Sequence, residues 1–232
     1  MRFLKPTLAL FSMIAIMSAC NSQKVAKTDI KTDVDSLSYA IGVNMGHGLK
    51  QSNINEINAV AVAMGIQDVQ SNKKDMMTAD KALEYIQKYL ANLQNKIGQK
   101  NLEEGKKFLE ENAKKEGVIV DSAGFQYKIL QEGTGPMPKE TDVVKVHYKG
   151  TLIDGTEFDS SYKRNEPAQF PLNGVIRGWT LGLQKMKVGS KFMLYLPGEL
   201  AYGANPRPGG PIGPNQLLIF EVELLEIVKE TK

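Results

Sequence analysis

Residue types that make and break covalent bonds are scarce in this chain and poorly spaced for it. His47 and His147 are isolated from each other, and Cys20 is the only cysteine. No cluster with zinc-ligand spacing follows from them, and no internal disulfide can form. Ser160 and Ser161 have no sequence partner that would activate a hydroxyl, and they sit in no nucleophile elbow. The glycines at 203, 209, 210 and 213 alternate with prolines, which is not a phosphate-cradling loop. What the chain does carry is aromatic: Tyr148, Phe158, Phe170, Trp179 and Phe220, with Asp159 beside Phe158 and a further tyrosine at Tyr202. Taken singly, each aromatic on an alternating strand reads as core, and Asp159 reads as a turn residue.

Five blocks change that reading. They are Val146-His147-Tyr148-Lys149-Gly150, Asp154-Gly155-Thr156-Glu157-Phe158-Asp159-Ser160-Ser161, Val175-Ile176-Arg177-Gly178-Trp179, Ala201-Tyr202-Gly203 and Leu218-Ile219-Phe220-Glu221-Val222-Glu223-Leu224-Leu225. In order and spacing they resemble the FKBP-type peptidyl-prolyl isomerase domain. The run Leu37-Ser38-Tyr39-Ala40-Ile41-Gly42, a long helical stretch after it, and Gly209-Gly210-Pro211-Ile212-Gly213-Pro214-Asn215 resemble the Mip-like and FkpA-like subgroup of that family. The resemblance implies an enzyme that turns X–Pro bonds, with Tyr148, Phe158, Asp159 and Tyr202 as the catalytic set. It implies Phe170, Val175, Ile176, Trp179, Ile212 and Phe220 as substrate-binding residues, Trp179 lying under the proline ring. No cofactor or metal is expected. The expected partners are unfolded proline-containing polypeptides, a second copy of the chain, and macrolide inhibitors of the FKBP class.

The chemistry such residues would do is rotation. An X–Pro amide twists against a barrier of about 18–20 kcal/mol, so the spontaneous reaction takes tens to hundreds of seconds. The twisted amide carries less charge separation than the planar one, and an apolar, water-poor pocket favours it. A competing reading is a binding chaperone that merely grips prolines, and a third is a surface-displayed protein that acts on a host. The complete aromatic set, with Asp159 and Tyr202 both present, favours catalysis.

The elements that must position these residues follow from periodicity. Val144, Val146 and Tyr148 alternate with Lys145, His147 and Lys149; Phe192, Leu194 and Leu196 with Lys191, Met193 and Tyr195; Leu218, Phe220, Val222 and Leu224 with Glu221 and Glu223. A fourth strand is expected near Phe125–Leu130 and a short helix at Gly178–Met186. Before Gly117 the period is helical: Val34, Leu37, Ile41 and Met45; then Ile54, Ile57, Val60, Ala61 and Met64; then a longer set from Ala79 to Ile97 with Thr78 as N-cap. Beyond Ile97 the helix turns polar on most sides, as helices that bridge domains through solvent do. The expected fold class is therefore α+β: an N-terminal helical dimerisation arm with a long linker helix, then an antiparallel sheet wrapped on one short helix. Residues 33–116 would form the arm and 117–232 the isomerase domain. Because all the pocket positions follow Gly117, the arm is expected to be dispensable for turnover of short peptides.

The first residues read as an export signal. Arg2 and Lys5 precede an apolar stretch from Leu8 to Met17 that is too short to span a bilayer. Met17-Ser18-Ala19-Cys20 resembles a bacterial lipoprotein processing site, which would make 1–19 a signal peptide, Cys20 the lipidated residue and membrane anchor, and 20–32 a flexible tether. The expected location is the bacterial cell envelope. Without residues 1–19 the chain has 27 basic and 26 acidic side chains, so nothing attracts nucleic acid.

Overall fold

Thr32 and Asp35 open the first helix by exchanging hydrogen bonds. The Asp35 amide donates to Thr32 Oγ1 at 3.1 Å and the Thr32 amide to Asp35 Oδ2 at 2.9 Å, a reciprocal cap. In the computed structural model, which describes residues 29–71 and 76–228, this helix is α1 (Asp33–Gln51). The expected signal peptide, Cys20 and most of the expected tether lie outside the described residues.

Two further helices follow, α2 (Ala59–Gln70) and α3 (Ala79–Asn112). Asn58 caps α2, its Oδ1 accepting from the amides of Val60 and Ala61 at 3.0 and 3.1 Å. That cap sets the boundary, so Ile54 and Ile57 fall in the irregular stretch before the helix rather than on its face. Thr78 caps α3 through the Lys81 amide. No residue of α1 or α2 is buried.

The chain divides into two compact units. One comprises the described residues up to His47 with Ile54–Met76; the other comprises Gly48–Asn53 and the chain from Met77 on. The second unit holds α3, the short helix α4 (Arg177–Leu183) and seven strands: β1 (Val118–Val120), β2 (Gln126–Gln131), β3 (Val143–Thr151), β4 (Glu157–Ser160), β5 (Ala168–Pro171), β6 (Lys191–Leu196) and β7 (Leu218–Val228). They form one sheet in the order β1-β2-β6-β7-β3-β4, with β5 also on β3, and every pairing is antiparallel. The period of two sends Val144, Val146 and Tyr148 of β3, Phe192, Leu194 and Leu196 of β6, and Phe220, Val222 and Leu224 of β7 into one core against Trp179, Leu183 and Met186. α4 lies close on that sheet because Gly178 and Gly182 have no side chains; a Cβ on Gly178 would come within 2.6 Å of Leu196.

The polar second half of α3 still has one covered face. Gly98, Gly105 and Asn112, seven residues apart, are its buried positions. Gly105 lies against Leu217, Asn112 Nδ2 donates to Gln126 Oε1 at 3.0 Å, and Gln126 Nε2 returns a bond to the Leu109 carbonyl. Two glycines and an amide give a hydropathy pattern nothing to register.

Candidate functional site

β3 and its neighbours build the site by register. Gly150 on β3 stands opposite Asp159 on β4 and Phe220 on β7. A Cβ there would lie 2.5 Å from the Phe158 ring and 3.0 Å from the Phe220 ring, so glycine at 150 makes room for both aromatics. Two residues back on the same face, Tyr148 points inward, and Phe170 enters from β5. Trp179, 4% exposed on the first turn of α4, forms the floor.

The rings meet edge to face. Trp179 stands at 5.1 Å and 86° to Tyr148, 5.8 Å and 85° to Phe170, and 5.3 Å and 79° to Phe220. Phe158 meets Phe220 at 5.5 Å and 87°. Such packing places positive ring edges on negative faces and fixes the walls. Trp179 Nε1 is buried with no partner among the described residues. The walls enclose a cavity of about 580 Å³. All ten residues singled out in the sequence line it: Tyr148, Phe158, Asp159 and Tyr202, together with Phe170, Val175, Ile176, Trp179, Ile212 and Phe220. The Ile176 amide precedes α4 and donates to nothing among the described residues, so it is available to a ligand carbonyl.

Two charged groups escaped the sequence reading: Arg207 in the cavity lining, and Arg164 beside Asp159. Arg164 ends a 3₁₀ turn (Tyr162–Arg164) that Asn165 reverses with φ 53°. Its guanidinium pairs with Asp159 Oδ1, donates to Tyr148 Oη at 3.0 Å, and lies 5.6 Å from the centre of the Tyr148 ring. The Tyr148 hydroxyl donates to Asp159 Oδ2, and the Ser160 amide to Oδ1 at 2.8 Å. Partial burial works to raise the Asp159 carboxyl, but the bonds from Tyr148 and Arg164 outweigh it and hold the group below the usual carboxylate range. Burial, then the Asp159 carboxylate, push the Tyr148 and Tyr202 phenols up. The carboxylate is therefore ionised and both phenols are neutral across the physiological range. A pair five residues apart across a turn leaves no periodic trace, so only the fold finds Arg164.

His147 lies outside the cavity, on the opposite face of β3. Its Nδ1 is 3.0 Å from Ser161 Oγ and its ring stacks on Tyr162 at 4.7 Å. Ser161 is fully buried and its hydroxyl accepts from the Tyr148 amide at 2.8 Å, which braces the strand behind Tyr148.

Comparison with known proteins finds relatives along most of the chain. Residues 135–225 match the family model for FKBP-type peptidyl-prolyl cis-trans isomerases, and residues 34–129 match that for the domain amino-terminal to them. The chain is 42% identical to the outer membrane protein MIP of Legionella longbeachae over 93% of its own length and 96% of that protein's. It is 41% identical to the FKBP-type isomerase FkpA of Aeromonas hydrophila, over 91% of this chain and 82% of that one. The crystal structure of FkpA from Escherichia coli superposes with a TM-score of 0.67 at 37% identity, covering 86% of this chain and 98% of that one.

Proposed function

The chain belongs to the FKBP-type peptidyl-prolyl cis-trans isomerases, with the amino-terminal domain of the Mip and FkpA proteins, and from that premise we propose how it turns an X–Pro bond and where it works. The proline ring enters the aromatic cavity and rests on Trp179, while Phe158, Phe170, Tyr148 and Phe220 exclude water. The Ile176 amide and the Tyr202 hydroxyl hold the substrate carbonyls, and Asp159, fixed by Tyr148 and Arg164, faces the rotating amide. Each tenfold of rate asks for about 1.4 kcal/mol. Desolvation of a less polar twisted amide, with two or three such contacts, supplies several multiples of that. The observation that carries this reading is the convergence of all ten residues on one cavity over a buried indole floor. A macrolide that mimics the twisted amide would occupy the same cavity and inhibit competitively.

A rotation that needs no proton in flight should be insensitive to pH while Asp159 stays charged. In an exchange assay on X–Pro peptides with residues 20–232, kcat/KM is expected to be flat from about pH 5 to about pH 9, because ordinary carboxyl and phenol values lie near 4 and 10 and both are pushed outward here. The folded Asp159 value is depressed, so its stabilising bonds are complete above the unfolded value and are lost as pH falls through the folded one. Arg164→Leu should move that acid limb up toward the ordinary carboxylate range. A bell centred near neutrality in the wild type would point to a titrating catalyst and overturn this mechanism.

The clients we propose are exported proteins folding in the bacterial cell envelope. The export-type first residues support this, as do relatives named as an outer membrane protein and as FkpA. Cys20 would carry a lipid, residues 20–32 would tether the folded part, and 33–116 would pair two chains. Cys20→Ser should then shift the protein from the membrane to the soluble fraction and abolish labelled fatty-acid incorporation; unchanged partitioning would remove the lipid anchor from the proposal.

A further inference from the structure

One wall of the cavity is a segment with no regular structure. Between Gly203 and Asn215 the chain runs through four prolines and three glycines, and Pro206, Arg207, Pro211 and Ile212 face the site. Prolines donate no amide hydrogen, so such a loop cannot brace itself with a ladder of its own. Its base is closed by the Asn215 amide, which donates to the Gly203 carbonyl at 2.7 Å. Asn215 holds φ at 52°, pressed onto Gly198, where a Cβ would sit 2.5 Å from the Asn215 carbonyl carbon.

Above its base the loop has space on both sides. The aromatic cavity of about 580 Å³ lies in front, and behind it is a larger one of about 1110 Å³ whose far wall includes Leu90, Gln94 and Ile97 of α3. An outward swing would lift the partly buried Ile212 off the core and break the bond from the Gly213 amide to Gln216 Oε1 at 2.8 Å. One face of α3 adds to what opposes it. Asn101 Nδ2 donates to the Pro214 carbonyl at 2.9 Å, half-buried and 113 residues away in sequence. Gly98 meets the same turn: a Cβ there would lie 3.2 Å from both Pro214 Cβ and Asn215 Nδ2. Gly213 faces Asn101 so closely that a Cβ on it would sit 3.0 Å from Nδ2.

We propose that Asn101 is a positioning residue of the isomerase site. With Gly98, it clamps the loop 204–214 at the height where Pro211 and Ile212 close the cavity. The proposal rests on the aromatic cavity being the catalytic site. It makes α3 a working part of that site, in place of the expectation that everything before Gly117 is dispensable for short peptides. Since the loop forms the rim, the clamp governs which residue before proline is accepted.

The test uses the chain 20–232 carrying Asn101→Asp, which keeps size but removes the donor, and Asn101→Ala as a second variant. On a series of X–Pro peptides, both should raise KM about three- to tenfold for bulky X, the scale of one lost hydrogen bond. The effect should be smaller for X = Ala, with kcat nearly unchanged. Trp179 is the only tryptophan, so its emission should shift to the red as water enters, while the thermal midpoint holds. Wild-type constants across the series for Asn101→Asp would overturn the clamp. So would an equal loss for every X accompanied by a lowered midpoint, which is general destabilisation. Phe158→Ala run in parallel separates the two readings: if it too is fully active, the cavity assignment has failed and the clamp falls with it.

Discussion

Phe158→Ala is expected to lower kcat/KM on tetrapeptides by about ten- to a hundredfold while the protein stays folded. The ring is worth about 1.5–3 kcal/mol of apolar contact when fully engaged, and each 1.4 kcal/mol is tenfold in rate. In the free protein Phe158 is only half-buried, leaning edge-on against Phe220 over the gap left by Gly150. It is absent from the fully buried core, which is carried by residues such as Phe125, Phe192 and Leu194. Its loss should therefore cost well under the about 3–5 kcal/mol of a core Phe→Ala change. It would instead let water reach the twisted amide, where the apolar wall matters most. Phe158→Leu, which restores part of the wall, should fall between. Thermal melting confirms the fold and an exchange assay reads the rate; full activity in Phe158→Ala would remove Phe158 from the proposed site.

How far the sequence exposed this arrangement depended on the kind of signal each element leaves. β3, β6 and β7 alternate over six or more residues, and their inward faces appear as expected. β1, β4 and β5, of three or four residues, are too short to show a period and emerge only from pairing. The ten cavity residues were legible through the family resemblance and not through pattern, because an aromatic facing a pocket and one facing a core alternate identically. Gly150 and Arg164 were illegible for opposite reasons: one acts by lacking atoms, the other by reaching across a turn. The contact face of α3 was hidden in the same way. Gly98, Asn101, Gly105 and Asn112 share a helical face, yet no hydropathy scale distinguishes that face from a solvated one.

Ile41→Asp is expected to convert the protein from a dimer to a monomer and to slow refolding of a long proline-limited client several-fold, with tetrapeptide turnover unchanged. Within one chain α1 and α2 bury no residue. On α1, Val34 is 71% exposed, Leu37 62%, Ile41 51% and Met45 40%; on α2, Val60 is 45% and Met64 48%. Patches of that extent are rare on free monomers and mark an interaction surface. In a symmetric pair each copy buries its own four, eight side chains in all, for about 12–24 kcal/mol if burial is complete, against the about 4–15 kcal/mol cost of association. Adding α2 widens the margin, and a self-complementary contact between two copies covers both with one patch. A carboxylate at position 41 would have to be desolvated in that contact at a cost of several kcal/mol, enough to separate the chains. The single chain should tolerate it, because Ile41 is already in water there. Two sites in one assembly let a long client that leaves one be captured by the other, an effective-concentration gain that a tetrapeptide cannot use. Sedimentation of residues 21–232 should give twice the chain mass for the wild type and the chain mass for Ile41→Asp, with helical circular dichroism retained. A monodisperse wild-type monomer at micromolar concentration would sink the pairing and the client effect together.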